Sequence, residues 1–174
     1  MIITAGIYKG QKINVPDENI TRPTLSKVRM GVFNTLQSMI NFENKSFLDM
    51  YAGSGVMGLE AISRGFSNAV AIEKNVKAAN IIKLNFKKFK NAPKLIISDS
   101  IKAVKTFKTD FDVIYIDPPY YNGIYEESLN VIKNIASGIV ILEHISDIEI
   151  NFGKYKVIKQ KVYGDKIITF LIIT

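Results

Sequence analysis

At 174 residues, 47% hydrophobic and 22% charged, the chain is sized for one well-buried domain with room for a small appendage. It has no cysteine, which excludes disulfides and thiolate metal sites and fits a reducing, cytoplasmic setting. No apolar run reaches a membrane span, no signal-peptide pattern is present, and a net charge of +7 suits a polyanionic partner such as nucleic acid.

Residues 2–15 hold Ile2-Ile3, Gly6, Gly10 and Lys12-Ile13-Asn14-Val15, which predicts a short hairpin with a basic turn. Tyr8 flanked by Lys9, with Lys12 close by, could lie against an RNA backbone or base. Residues 16–23 are a polar linker. Thr24 can cap a helix running to about Ile40, on which Leu25, Val28, Val32, Leu36 and Met39 mark one apolar face. Arg29 lies off that face and Arg22 just before the helix. Two of the chain's three arginines thus stand where their planar forks could grip phosphate or carboxylate.

From Ser46 strands alternate with helices. Phe47 to Ala52 is a predicted strand, Gly53-Ser54-Gly55 a tight turn and Val56 to Ser63 a helix closed by Arg64-Gly65. Strands follow at Asn68–Glu73, Lys94–Ile97 and Phe111–Ile116. Helices are expected from Val76 to Lys90, through Val104, and from Tyr125 to Ile135. A fifth strand covers Gly138–Leu142, and two more, Tyr155–Val162 and Lys166–Ile173, share a Gly164-Asp165 turn as an antiparallel pair. This β-then-α alternation predicts an α/β fold with a mainly parallel sheet and helices on both faces. His144 is a sheet-end residue, and no cluster of metal ligands is present in the sequence.

Ligands of such sheets bind outside the carboxyl ends of the strands. Gly53, Gly55 and Gly58 follow strand one and let backbone approach a ligand at a helix start. Glu73 ends strand two, where an acid can accept from ribose hydroxyls, and Asp99 ends strand three beside Ser100. Asp117 ends strand four in Asp117-Pro118-Pro119-Tyr120, where two prolines stop the strand and leave a carboxylate, free carbonyls and a ring at the sheet's lip. A dinucleotide oxidoreductase explains the glycines and Glu73. It leaves unexplained both Asp117-Pro118-Pro119-Tyr120 and Asp49, a buried acid before the turn, suited to a ligand's ammonium group. An uncharged nucleoside with an amino acid arm fits better, namely S-adenosylmethionine.

The sequence resembles the RsmD-type methyltransferases, which methylate N2 of a guanine in 16S ribosomal RNA. The likeness rests on Gly10-Gln11-Lys12, Arg22-Pro23-Thr24, Val28-Arg29, Phe33-Asn34, Asp49 to Gly55, Gly58 to Ala61, Ser63-Arg64-Gly65, Glu73 and Asp117 to Tyr120. Met30-Gly31 stands where the family usually carries an acid, and Gln11 where it usually carries arginine.

The resemblance implies a Rossmann-like class I S-adenosylmethionine-dependent methyltransferase fold. This would be a seven-stranded sheet over residues 45–174, behind an RNA-contacting extension over 1–44. Asp117, Pro118 and Tyr120 would be catalytic. Asp49, Tyr51, Gly53, Ser54, Gly55, Glu73, Asp99 and Ser100 would hold the cofactor, and Lys9, Lys12, Arg22 and Arg29 the RNA. A monomer acting on ribosomal RNA, in the small subunit or an assembly intermediate, is expected. Alternatives are a DNA adenine-N6 methyltransferase, which shares Asp-Pro-Pro-Tyr, a nicotinamide-dependent oxidoreductase, and a non-catalytic RNA-binding factor.

Overall fold

Strand residues alternate between two apolar faces, and each face acquires its own helical cover. In the computed structural model, which describes residues 1–17, 25–119 and 123–174, the elements run α1 (Ser26–Gln37), β1 (Ser46–Asp49), α2 (Val56–Ser63), β2 (Asn68–Glu73), α3 (Val76–Phe86), β3 (Lys94–Ile97) and α4 (Ser100–Val104). They continue with β4 (Phe111–Ile116), α5 (Ile124–Val131), a 3-10 turn at Ile132–Asn134, β5 (Ala136–Ile145), β6 (Tyr155–Tyr163) and β7 (Lys166–Ile173). The seven strands form one sheet in the order β3-β2-β1-β4-β5-β7-β6. Strands β3 to β5 pair in parallel, while β7 runs antiparallel to both β5 and β6. This is the expected class I methyltransferase architecture, C-terminal antiparallel pair included.

Phe47, Ala71, Val113, Tyr115, Ile141, Ile168 and Phe170 point to the face covered by α1, α2, α3 and the N-terminal segment. Leu48, Ile72, Ile114, Ile116, Leu142 and Leu171 point to the face covered by α4 and α5. On the first face Phe33 stacks on Phe47 at 5.8 Å and Phe42 on Phe66 at 4.5 Å. Such pairs contribute about 0.5–1.5 kcal/mol each beyond simple burial. Asp112, the acid inside β4, holds Lys45 Nζ at 2.9 Å and the Ser46 amide at 2.9 Å. Burial pushes its pKa up, and these hydrogen bonds outweigh that and lower it.

Residues 1–13 close into a loop through one bridge, Ile2 to Lys12, flanked by Ile13 N–H to Met1 carbonyl at 2.9 Å. The turn docks on the carboxyl end of α2, where the Ile7 amide donates to the Ser63 carbonyl at 2.8 Å and the Tyr8 amide to Ser63 Oγ at 3.0 Å. Tyr8 is held in place rather than presented. Its ring lies 4.7 Å from that of Phe89, and its hydroxyl accepts from the Asn91 amide. The helix at α1 starts at Ser26, after the expected cap at Thr24, which with Arg22 lies outside the described residues. Leu25 is exposed rather than on the apolar face.

Candidate active site

Outward connections from β1 and β4, neighbours in the sheet, diverge to opposite faces, and a crevice opens between their carboxyl ends. It is a cavity of about 460 Å³, within the usual size for a small-molecule site. On its walls are Asp49, Tyr51, Gly53, Ser54, Glu73, Ser100, Asp117 and Pro118, so residues from four consecutive strand ends do meet. Gly55 and Asp99 stand behind the wall. Gly55 adopts φ 76° at the start of α2, and a Cβ there would come within 2.9 Å of the Phe86 ring. Asp99 caps α4, accepting from the Lys102 amide at 3.0 Å. Neither is part of the cavity wall itself.

The acids are arranged by burial. Glu73 joins strand two to the glycine turn: its Oε2 accepts from Gly53 N–H at 2.8 Å and its Oε1 from Asn75 N–H at 2.7 Å. Asp49 is 1% exposed, and neither of its oxygens has a hydrogen-bond partner of ordinary geometry among the described residues. Burial, with the Glu73 charge second, pushes its pKa up to about 7, against the nearby amides of Tyr51 and Gly58. A buried carboxylate left unsatisfied at a cavity wall calls for a cation. Tyr51 is anchored by its hydroxyl to Ser128 Oγ at 2.7 Å, and the Ser100 hydroxyl donates to the Met50 carbonyl.

Among the wall residues that the sequence does not single out, three make defined polar contacts. Tyr115 donates its hydroxyl to Glu143, Glu143 also pairs with Lys166, and both Tyr115 and Lys166 reach the cavity. The trace in the sequence is a single acid in the apolar run of β5 and a single lysine opening β7, which the register sets two positions apart on the ladder. Asn75 is the third, and it also caps α3.

One expected RNA ligand is elsewhere. Arg29 is fully buried, pairing with Glu60 at 3.4 Å and donating to the Ile2 carbonyl at 2.9 Å. It cannot contact a phosphate, because α1 is covered on that side by the N-terminal segment. Lys9 and Lys12 are exposed; Arg22 and Tyr120 lie outside the described residues.

Comparison with known proteins completes the picture. The family described as Conserved hypothetical protein 95 matches residues 1–172. Ribosomal RNA small subunit methyltransferase D of Buchnera aphidicola from Acyrthosiphon pisum is 36% identical, covering 76% of this chain and 69% of its own. The chain belongs to the RsmD family. The Escherichia coli K12 protein of the same name is 32% identical over 76% of this chain and 66% of its own. The solved structure of E. coli yhhF shares the fold, with TM-score 0.84 and 24% identity over 98% of this chain and 96% of that one. Like its RsmD relatives the chain is a methyltransferase, and S-adenosyl-L-methionine is the cofactor. The residues present fit that group. Asp49 would offer a carboxylate to its ammonium, Glu73 would have lone pairs for ribose hydroxyls, and the turn from Gly53 to Gly55 would allow close backbone approach.

Proposed function

We propose that the protein methylates the exocyclic N2 of a guanine in small-subunit ribosomal RNA, as a cytoplasmic monomer. The observation that carries this reading is that Asp117 and Pro118 share one cavity with Asp49, Glu73 and the glycine turn. The ribosomal RNA substrate is supported by relatives bearing the name small subunit methyltransferase D.

Bound S-adenosyl-L-methionine supplies an electrophilic methyl group on a sulfonium centre. The chain's part is to make a poor nucleophile attack it. A guanine amine has its lone pair delocalised into the ring. Asp117 and the Pro118 carbonyl accept its hydrogens and push the lone pair outward. These acceptors are fixed by the end of β4 and two prolines, so they need little reorganisation. Asp117 then takes the proton that the methylated nitrogen sheds. Tyr120 stacks on the extruded base. Residues 1–44 serve as the RNA-contacting extension, with Lys9, Lys12 and Arg22 as its cations. The turn bearing Lys9 docks at Ser63, the far end of the eight-residue α2, roughly 12 Å from the cavity end of that helix. It would therefore meet RNA flanking the target base.

Incubation with labelled S-adenosyl-L-methionine and small subunits lacking the mark, free ribosomal RNA or duplex DNA tests this, with nucleoside mass spectrometry of the acceptor. N2-methylguanosine in RNA is expected; N6-methyladenine in DNA would overturn it.

A further inference from the structure

Strand β6 is the edge of the sheet, and its two faces differ in kind. Lys156, Lys159 and Lys161 pair across the ladder with Ile172, Phe170 and Ile168. Those partners belong to the core face that carries α1 and the buried Tyr115. Directly opposed residues in an antiparallel ladder point to the same side. The three lysines therefore all lie on the α1 side. The other side of β6 shows Val157, Gln160 and Val162, paired with Leu171, Thr169 and Ile167. Charged residues on an edge strand guard against unwanted pairing. That purpose does not require them on one face.

The lysine row continues onto α1 and toward the site. Tyr163, two residues past Lys161, pairs with Lys166, a cavity wall residue, at the end of the ladder nearest the cavity. The Tyr163 hydroxyl packs so closely on Gly31 of α1 that a Cβ there would approach it to 1.8 Å. This close fit accounts for glycine at position 31. Lys27, one helical turn before Gly31, is exposed on the same flank of α1. Neither α1 nor β6 contains an acidic residue; Asp165 lies in the turn between β6 and β7. Lys159 and Lys161 are two residues apart, about 7 Å along the strand, comparable to the separation of successive phosphates. No ion pair engages Lys27, Lys156, Lys159 or Lys161 among the described residues.

We propose that Lys27, Lys161, Lys159 and Lys156 form a phosphate track that carries the RNA strand from the cavity mouth along the edge of the sheet. The track rests on the RNA substrate proposed above. It supplies, along the edge of the sheet, the cationic contact that buried Arg29 does not.

The test uses the full chain, small-subunit ribosomal RNA and a salt series. Lys156→Gln/Lys159→Gln/Lys161→Gln should flatten the slope of log affinity against log salt by about 2, since each phosphate neutralised on a single strand adds roughly 0.7 to that slope. KM for RNA should rise at least tenfold while S-adenosylhomocysteine binding stays unchanged, which also reports an intact fold. The control is Lys102→Gln/Lys105→Gln/Lys108→Gln, which removes equal charge from exposed positions in and just after α4, on the opposite face. Equal effects from the two triple variants, or an unchanged slope in the first, would overturn the track. Wild-type protein that methylates no RNA would instead overturn the proposed substrate.

Discussion

Arg29 and Glu60 are both 0% exposed and pair at 3.4 Å across the contact between α1 and α2. Glu60 is the hub of the N-terminal docking, since it also accepts from Thr4 N–H at 2.7 Å, Thr4 Oγ1 at 2.9 Å and Arg64 Nε at 3.1 Å. Arg64 lies in turn over the Phe33 ring at 5.0 Å. Two of the three arginines in this basic chain are thus spent on holding residues 1–13 and α1 to the methyltransferase sheet.

Arg29→Ala should therefore cost stability and leave RNA electrostatics alone. Removing one partner strands buried charge and unmakes the bond to the Ile2 carbonyl, a loss of about 3 kcal/mol. A lower denaturant midpoint at unchanged m value is expected, together with an unchanged salt slope for RNA binding. A flattened slope with normal stability would return Arg29 to the interface.

If Asp49 takes the cofactor's ammonium, cofactor binding should depend on pH. Its folded pKa, raised to about 7, exceeds its ordinary 3.8, so the empty protein holds the proton where the unfolded chain releases it. Asp49 thus contributes stability fully present below pH 4 and lost as pH rises to 7. Ligand binding runs the other way, because the ionised carboxylate is the form that pairs with an ammonium. Affinity for S-adenosylhomocysteine should tighten about tenfold from pH 6 to 8 in wild type. It should lose that dependence in Asp49→Asn. Calorimetry giving parallel pH profiles for the two proteins would remove Asp49 from the ammonium site.

The strands at β2, β3, β4 and β7 were legible in the sequence to the residue, because each apolar run is bounded by turn residues or by prolines. Asp49, Glu73 and Asp117 were legible as strand-end acids. Arg29 was not: on a helical wheel it falls beside the apolar stripe, and only the tertiary placement of Ile2 and Glu60 buries it. At Asp99 the sequence leaves two uses open, since an acid before a short helix can serve the helix as well as a ligand, and here it caps α4. The lone acid of β5 and lone lysine of β7 stand out in the sequence, but assembling them with Tyr115 needs the strand register that brings β4, β5 and β7 together. The lysine row on β6 was hidden likewise, because a bulge between Val157 and Lys159 breaks its period of two.

Glu73 holds the Gly53 and Asn75 amides, and its proposed contact with the cofactor's ribose can be tested by substitution. Glu73→Gln keeps an acceptor but replaces the second oxygen with a donor. One of the Gly53 and Asn75 amides then loses its partner, and a ribose hydroxyl loses charge-assisted pairing. Affinity for S-adenosylhomocysteine should fall at least tenfold, with the larger share in Glu73→Ala. Equal affinity in all three proteins, measured by calorimetry, would place the ribose elsewhere.

Asp117→Ala is the sharpest test of the chemistry. Asp117 is half-exposed just past the end of β4, so its removal opens no cavity in either core. Stability and S-adenosylhomocysteine affinity should stay near wild type. The variant loses both the fixed acceptor for the amine hydrogens and the proton acceptor. Effects of those kinds are each worth about 10²-fold or more, so kcat should fall by at least that factor. Asp117→Asn restores one acceptor oxygen without the charge, and should recover orientation but not proton uptake. Its kcat is expected between those of Asp117→Ala and wild type, with KM for RNA unchanged. A folded Asp117→Ala enzyme with wild-type turnover would show that the amine is activated by other groups, with Pro118 the first to examine.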